Sequence, residues 1–508
     1  MKKYSPLQIM FLGTGSDVGK SVIAGGFCRI LYKQGYKVAP FKAQNMALNS
    51  FVTMDGREMG RAQVFQAMAA GIPPESDMNP VLLKPSGSSS SQIIVQGKVF
   101  GDATSINYYN MIEQIFPRVL ESYSRLKEKY NALVLEGAGS TAEINLKKSD
   151  FVNIQMAKTV QAPAVIIADI DRGGVFASLI GTMNLLTRKE KKLIIGFIIN
   201  KFRGDKTLLE DGIKFIERKT KRPVFGVVPY FQDIHLPEED SVALQRGKKG
   251  SIKDNEEVRI AVIHLPFISN YTDFDPFEAE EKVSLIYARQ PDEIVKSSVV
   301  IIPGTKNTIE DLIWMEKNGF VRALKKHVKE GKTLIGICGG YQMLGNSIKD
   351  PYGVESKHKK IRGLSFLNID TVLEKEKKLI RIQGKCRISG INSMDNGDIT
   401  VEGYEIHMGT SIKKSSLKPC FTITLRNAVP ENYNDGSISE DEKVWGTYIH
   451  GLFENDDFRT LFLAVHGRKA SRIFRYRSYL ETHLDKLTSL IEENVDVQRI
   501  INIAKSFC

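Results

Sequence analysis

The sequence predicts an α/β protein built on two parallel sheets, and three observations predict it. An apolar run, Gln8 to Leu12, leads into the glycine-rich loop Gly13-Thr14-Gly15-Ser16-Asp17-Val18-Gly19-Lys20-Ser21 and then into helical periodicity from Val22 to Gln34. A second apolar run, Thr333-Leu334-Ile335, leads through Gly336-Ile337-Cys338-Gly339-Gly340 into another helix. Between them, strand-sized apolar runs alternate with helical stretches, the rhythm of βαβ units.

That rhythm continues to about Pro229-Tyr230-Phe231, gives way to a stretch rich in charge and glycine, and reopens at Val258-Arg259-Ile260-Ala261-Val262-Ile263-His264. The expected organisation is a first unit at 1–235, a linker at 236–257, a second unit at 258–465 and a basic helical tail at 466–508. In the tail, Tyr479, Leu480, Leu484, Leu487 and Leu490 recur at near-helical spacing and read as a stripe packed on the parent domain.

Strand, glycine loop and helix are the context a phosphate cradle requires, because the first amides of the helix point at the bound anion. Five residues separate Gly13 from Gly19 rather than the four of a Walker A motif. The loop is similar to the variant found in dethiobiotin synthetase and its relatives. That resemblance implies that backbone amides from Gly13 and Thr14 to Gly19 wrap the phosphates of ATP, that Lys20 neutralises their charge, and that the Ser21 hydroxyl reaches Mg²⁺. Later strands end in polar residues on the same edge. Ala132 to Leu135 delivers Glu136, expected to share the metal with Ser21. Ile194 to Ile199 delivers Asn200, expected at the adenine edge.

The glycines around Cys338 allow a strained turn that pushes its sulfur into a cleft, a nucleophile elbow suited to thioester chemistry. The helix amides that follow can stabilise an oxyanion. His450, ending the strand of Trp445-Gly446-Thr447-Tyr448-Ile449-His450, is the expected base. Val299-Val300-Ile301-Ile302-Pro303-Gly304 ends in a turn, so Gly304 and Gly339 are the expected oxyanion hole. Together these segments resemble the class I, triad-type glutamine amidotransferases, which implies a flavodoxin-like second domain releasing ammonia from glutamine. One departure matters: the orienting glutamate usual two positions after the histidine is Leu452 here. The expectation is a Cys338–His450 dyad or a third member from elsewhere. Glu405 and His407 are candidates, although they also read as a strand edge beside the site.

The segments Pro40 to Ser50, Asp77 to Pro85, Glu136 to Ser140, Ala142 to Leu146 and Asp169 to Phe176 resemble the glutamine-hydrolysing cobyric acid synthase family from end to end. Ala43 stands where that family usually has proline, and Ser88 to Ser91 replaces a more acidic turn. The resemblance implies amidation of the b, d, e and g carboxylates of adenosylcobyrinic acid a,c-diamide, with ATP and glutamine consumed each time. Gln44, Asn45, Asn49, Lys84 and Asp150 are the expected corrinoid contacts, from their position near the loop. The nearest rival is a cobyrinic acid a,c-diamide synthase. A partitioning-type ATPase is the rival from another class, but Gly15 stands where its signature lysine would be.

Composition fits an enzyme acting on acidic small molecules. The net charge of +12 suits ATP and a polycarboxylate, and the lysines are scattered rather than gathered into a stripe for nucleic acid. Five dispersed cysteines describe neither a disulfide framework nor a zinc site. No apolar stretch approaches the roughly 20 residues that cross a bilayer. The expectation is a cytoplasmic enzyme whose partners are its small-molecule substrates, with no nucleic acid and no membrane; self-association is left open.

Overall fold

The computed structural model describes residues 6–85, 90–147, 150–237, 244, 250–392, 398–414, 417–469 and 473–507. Ser88 and Ser89 of the serine run, most of the linker between 238 and 249, and Cys508 lie outside the described residues. The first sheet is six-stranded and parallel. Its order is Val224–Pro229, Ile194–Phe202, Ala164–Asp169, β1 (Leu7–Gly13), Ala132–Glu136 and Val38–Phe41. Every residue of β1 is buried. Met10 and Leu12 enter the core on one face, and Leu7, Ile9 and Phe11 the core on the other. Burial on both faces is why this strand reads as a continuous apolar run.

Helix α1 (Lys20–Lys33) follows the loop and buries Ile23, Phe27, Ile30 and Leu31 against the second of those faces. A shorter helix, α2 (Arg61–Ala69), lies beside α1 with Gln63 and Gln66 fully buried.

The second parallel sheet has the order Val283–Ala288, Val258–Ile263, Val299–Ile302, Thr333–Ile337 and Val444–Thr447, closed by the antiparallel Ser437–Ile438. Beside it a mainly antiparallel sheet is built on the long pair Ile369–Cys386 and Thr400–Lys413. The short strand Ile449–His450 pairs with Tyr404 and Glu405 on that sheet's edge. No helix of the described residues is long and apolar enough to cross a membrane.

The tail corrects one expectation. Its stripe does not rest on the half it follows. Leu484, Leu487 and Ile491, in the helix Tyr476–Asn494, join the core formed by α1 and β1. The approach is close: a Cβ on Gly26 of α1 would lie 2.2 Å from Ile491 Cδ1. Arg29 of α1 pairs with Glu481 at 2.7 Å and Asp485 at 3.0 Å. A helix Val497–Ser506 then adds Ile500, Ile501 and Ala504 to the same face.

Candidate active sites

The buried strand Thr333–Ile337 delivers Cys338 at φ 53° and ψ −108°, and the helix Gly339–Met343 begins at the next residue. A non-glycine residue in that region is strained, and here the strain marks the nucleophile elbow. The Cys338 amide is tied to the Thr447 carbonyl at 2.8 Å, while its sulfur lies 3.5 Å from the Ile406 carbonyl. His450 is buried, with its ring stacked on Tyr404 at 5.4 Å between centroids. Gly304 packs against it so closely that a Cβ there would stand 2.9 Å from His450 Cε1. Gly339 lies against Thr305 and Thr308, on the turn that follows Gly304. The two glycines expected at the oxyanion therefore lie near one another, Gly304 beside His450 and Gly339 next to Cys338.

Of the two alternatives, a bare dyad or a third member from elsewhere, the structure has a third group beside the histidine, and it is neither Glu405 nor His407. Asp273 Oδ2 lies 2.6 Å from His450 Nδ1, and Asp273 Oδ1 accepts the Gly451 amide at 3.0 Å. Asp273 sits in the turn Tyr271–Phe274, reached from the end of the strand Val258–Ile263. Glu405 does not touch His450: it accepts from Tyr433 Oη at 2.8 Å and lies 3.4 Å from His407 Nε2. His407 is stacked on Tyr448, so Glu405 and His407 are the strand edge, not the third member. Leu452, in the usual glutamate position, is a core side chain.

Asp273 also sets the protonation of the imidazole. Burial alone would lower its pKa. The Asp273 charge and hydrogen bond, with the Cys338 thiol, outweigh burial and raise it to about 10. Nε2, the nitrogen on the side away from Asp273, makes no hydrogen bond of good geometry with any described residue. The arrangement is an acid–base group held by a carboxylate beside a strained thiol, the layout of nucleophilic acyl transfer.

At the first sheet, Gly19 adopts φ 97° and touches Asn200 so closely that a Cβ would lie 2.2 Å from its Nδ2. Only glycine fits there. Asn200 Nδ2 donates to the Val18 carbonyl at 2.8 Å and Oδ1 accepts from the Lys201 amide at 2.9 Å, so the carboxamide braces the loop with part of its capacity. Thr14 donates its amide to Ile167 at 3.1 Å and bridges to Ser140. Lys20 Nζ donates to the Gly15 and Gly139 carbonyls at 2.8 and 3.0 Å, folded over the loop. Glu136, almost wholly buried, accepts from Ser21 Oγ at 2.7 Å and Lys42 Nζ at 2.9 Å on one oxygen, and from Gln66 Nε2 at 2.6 Å on the other. A carboxylate and a hydroxyl side by side at the start of a helix, with a cation already drawn to the carboxylate, form a donor set that fits a hard divalent ion.

The five residues expected at the corrinoid do not converge on one surface. Gln44 accepts from Tyr108 Oη. Asp150 accepts the Val152 and Asn153 amides at 2.9 and 3.1 Å. Asn45, Asn49 and Lys84 are buried: Asn45 donates to Gln63 at 3.2 Å, and Asn49 accepts the Tyr271 amide at 3.2 Å. Lys84 donates to Ser50 Oγ and Glu58 at 2.8 and 2.9 Å, and Lys377 of the second half reaches the same Glu58 at 2.6 Å. Asn49 and Lys84 thus belong to the junction between the halves.

The sequence reading missed Asp273, because nothing local to Asn270-Tyr271-Thr272-Asp273-Phe274 distinguishes it from an ordinary turn acid. Its place after the first strand of the second sheet was the available signal.

Comparison with known proteins finds matches to both halves of the chain. Residues 9–243 match the model of the CobQ/CobB/MinD/ParA nucleotide binding domain, and residues 259–458 match that of the CobB/CobQ-like glutamine amidotransferase domain. The chain is 47% identical to a cobyric acid synthase of Syntrophobacter fumaroxidans, over 97% of this chain and 98% of that protein. It is 46% identical to one of Clostridium tetani, over 98% of each chain, and 43% identical to one of Clostridium kluyveri, again over 98% of each. With relatives this similar along nearly the whole length, the chain belongs to the cobyric acid synthase family.

Proposed function

We propose that this chain performs the ATP- and glutamine-dependent amidation of the b, d, e and g carboxylates of adenosylcobyrinic acid a,c-diamide in cobalamin biosynthesis. The observation that carries the reading is the Cys338–His450–Asp273 constellation in the same chain as a phosphate loop with Lys20 and Glu136 at its helix start. The family supplies the substrate.

In the second half, the proton of the Cys338 thiol rests on His450 Nε2, in keeping with the raised pKa of the imidazole, and the thiolate attacks the side-chain carbonyl carbon of glutamine. The oxyanion that forms is received by amides around Gly304 and Gly339. His450 returns the proton to the leaving nitrogen, ammonia departs, and water hydrolyses the thioester to glutamate. Asp273 holds Nδ1, so that the proton traffic passes through Nε2.

In the first half, a corrinoid carboxylate oxygen attacks the γ-phosphorus of ATP, ADP leaves, and ammonia displaces phosphate from the acyl phosphate to give the amide. Amides from Gly13 and Thr14 to Gly19 cradle the phosphates, and Lys20 moves from the Gly15 and Gly139 carbonyls to their charge. Ser21 and Glu136 would hold Mg²⁺, which neutralises phosphate charge when bound. Asn200 keeps one N–H and one lone pair for the adenine. Gln44 and Asp150, the two of the five that are not buried, are the residues kept near the corrinoid.

The test is mass spectrometry of the corrinoid after incubation of the purified chain with adenosylcobyrinic acid a,c-diamide, ATP and glutamine. Four successive carboxyl-to-amide conversions are expected, with glutamate released. Amidation only at the a and c positions of unamidated cobyrinic acid would assign the chain to the other synthase. No glutamine consumption would end the reading.

A further inference from the structure

The carboxylate that orients His450 stands on a turn that the other half of the molecule holds. Ser50 N–H donates to Asn270 Oδ1 at 3.0 Å, and Tyr271 N–H donates to Asn49 Oδ1 at 3.2 Å. Arg61, at the start of α2, donates from Nε to Thr272 Oγ1 at 3.3 Å and pairs with Glu454. Three consecutive residues ahead of Asp273 are therefore each bonded to the nucleotide-binding half. The ring of His450 is backed in the same way. Tyr404, stacked on it, donates from Oη to the Ser50 carbonyl at 3.0 Å, accepts from Asn270 Nδ2 at 3.3 Å, and has Phe51 against its ring at 5.2 Å. Asn49, Ser50, Asn270, Tyr271, Thr272 and Tyr404 are buried, and Arg61 nearly so.

We infer that Asn49, Ser50 and Arg61 are positioning residues for the glutaminase reaction: they clamp the Asn270–Asp273 turn and so fix the acid–base pair of the opposite half. The inference rests on the proposed function and adds to it the assignment of residues outside the amidotransferase sheet. The physical reason is the steep dependence of acid–base catalysis on geometry. A displacement of about 1 Å at a positioned group costs on the order of a hundredfold in rate. The four-residue turn Tyr271–Phe274 sinks Tyr271 and Phe274 into the core of its own half, and the bonds from the other half fix its polar edge, where Asp273 stands 2.6 Å from the imidazole. Asn270, at φ 53°, is already in the left-handed region, so its side chain is the handle by which the turn is held.

The experiment measures glutaminase turnover in Asn270→Gly and Asn49→Ala, each alone and combined with Asp273→Asn. Glycine keeps the φ of 270 while removing the handle, and Asn49→Ala removes the other contact without touching the second half. Each single variant is expected to lose about tenfold to a hundredfold in kcat with KM for glutamine little changed. Neither should lower activity further in the Asp273→Asn background, because both act through the carboxylate. Asn270→Gly should leave ammonium-dependent amidation intact, which also reports that the protein is folded. Normal turnover in both single variants, or losses that simply add to that of Asp273→Asn, would overturn the clamp. If the unmodified chain has no glutaminase activity, the proposed function fails instead.

Discussion

Asp273 Oδ2 stands 2.6 Å from His450 Nδ1, and the same carboxylate ties down the amide of Gly451 with its other oxygen. One side chain thus fixes both the ring and the backbone that carries it. Asp273→Asn removes the charge and leaves the shape, so glutamine-dependent amidation should fall by on the order of a hundredfold or more while amidation from ammonium persists. Parallel assays with the two nitrogen sources on folded protein decide it. Leu452→Ala should act differently: as a core side chain it should lower stability by about 2–5 kcal/mol and leave turnover per folded molecule near normal.

The raised pKa of His450 makes a separate statement about stability. The group titrates near 6.5 when unfolded and at about 10 when folded. Its contribution should be fully present below pH 6.5 and disappear as pH rises through about 10. Chemical denaturation of the protein and of His450→Gln at several pH values tests the sign: the gap between them should narrow with rising pH. A gap that widens would mean the pair with Asp273 does not hold the proton.

Removing Cys338 or Lys20 should separate the two half-reactions. Cys338→Ser should abolish amidation from glutamine and spare amidation from ammonium. Lys20→Ala should lose both by about a hundredfold or more, because it removes a charge from the phosphoryl clamp, while basal glutaminase activity through Cys338 survives. Glu136→Gln should follow Lys20→Ala and be partly restored by raised Mg²⁺ if it serves the metal. Full corrinoid amidation by Lys20→Ala would remove the Gly13 to Ser21 loop from the mechanism.

These sites differ in how far the sequence exposes them, and the difference is physical. Cys338 and Lys20 are legible because their chemistry is written locally, in a strand, a few glycines and a helix start. His450 is legible as the polar end of a short strand. Asp273 is not, since its meaning lies in a contact with a residue 177 positions away. The same limit applies to packing. The spacing of Leu480, Leu484 and Leu487 says that one side of a helix is covered, but not that α1 of the other half covers it. Lys84 and Asn49 read as ligand contacts from their proximity to the loop, while their bonds to Glu58 and to the Tyr271 amide at the junction depend on contacts no local pattern shows.

Leu487 gives the tail its own test. Leu487→Ala opens a cavity beside α1 and should cost about 2–5 kcal/mol. Hydrogen exchange should quicken in β1 and α1 and not in the strand that leads to Cys338. Faster exchange confined to 333–343 would mean the helix serves the second half after all.

The return of that helix to β1 also sets an order of events during synthesis. Residues 484–504 supply much of one wall of the first sheet, and they leave the ribosome only after the whole amidotransferase sequence has been made. Until then Phe11, Ile23 and Phe27 have part of their covering missing. The half that is translated first is therefore the half that is finished last, and a nascent chain stalled before residue 480 presents an incomplete nucleotide site behind a complete glutaminase sequence.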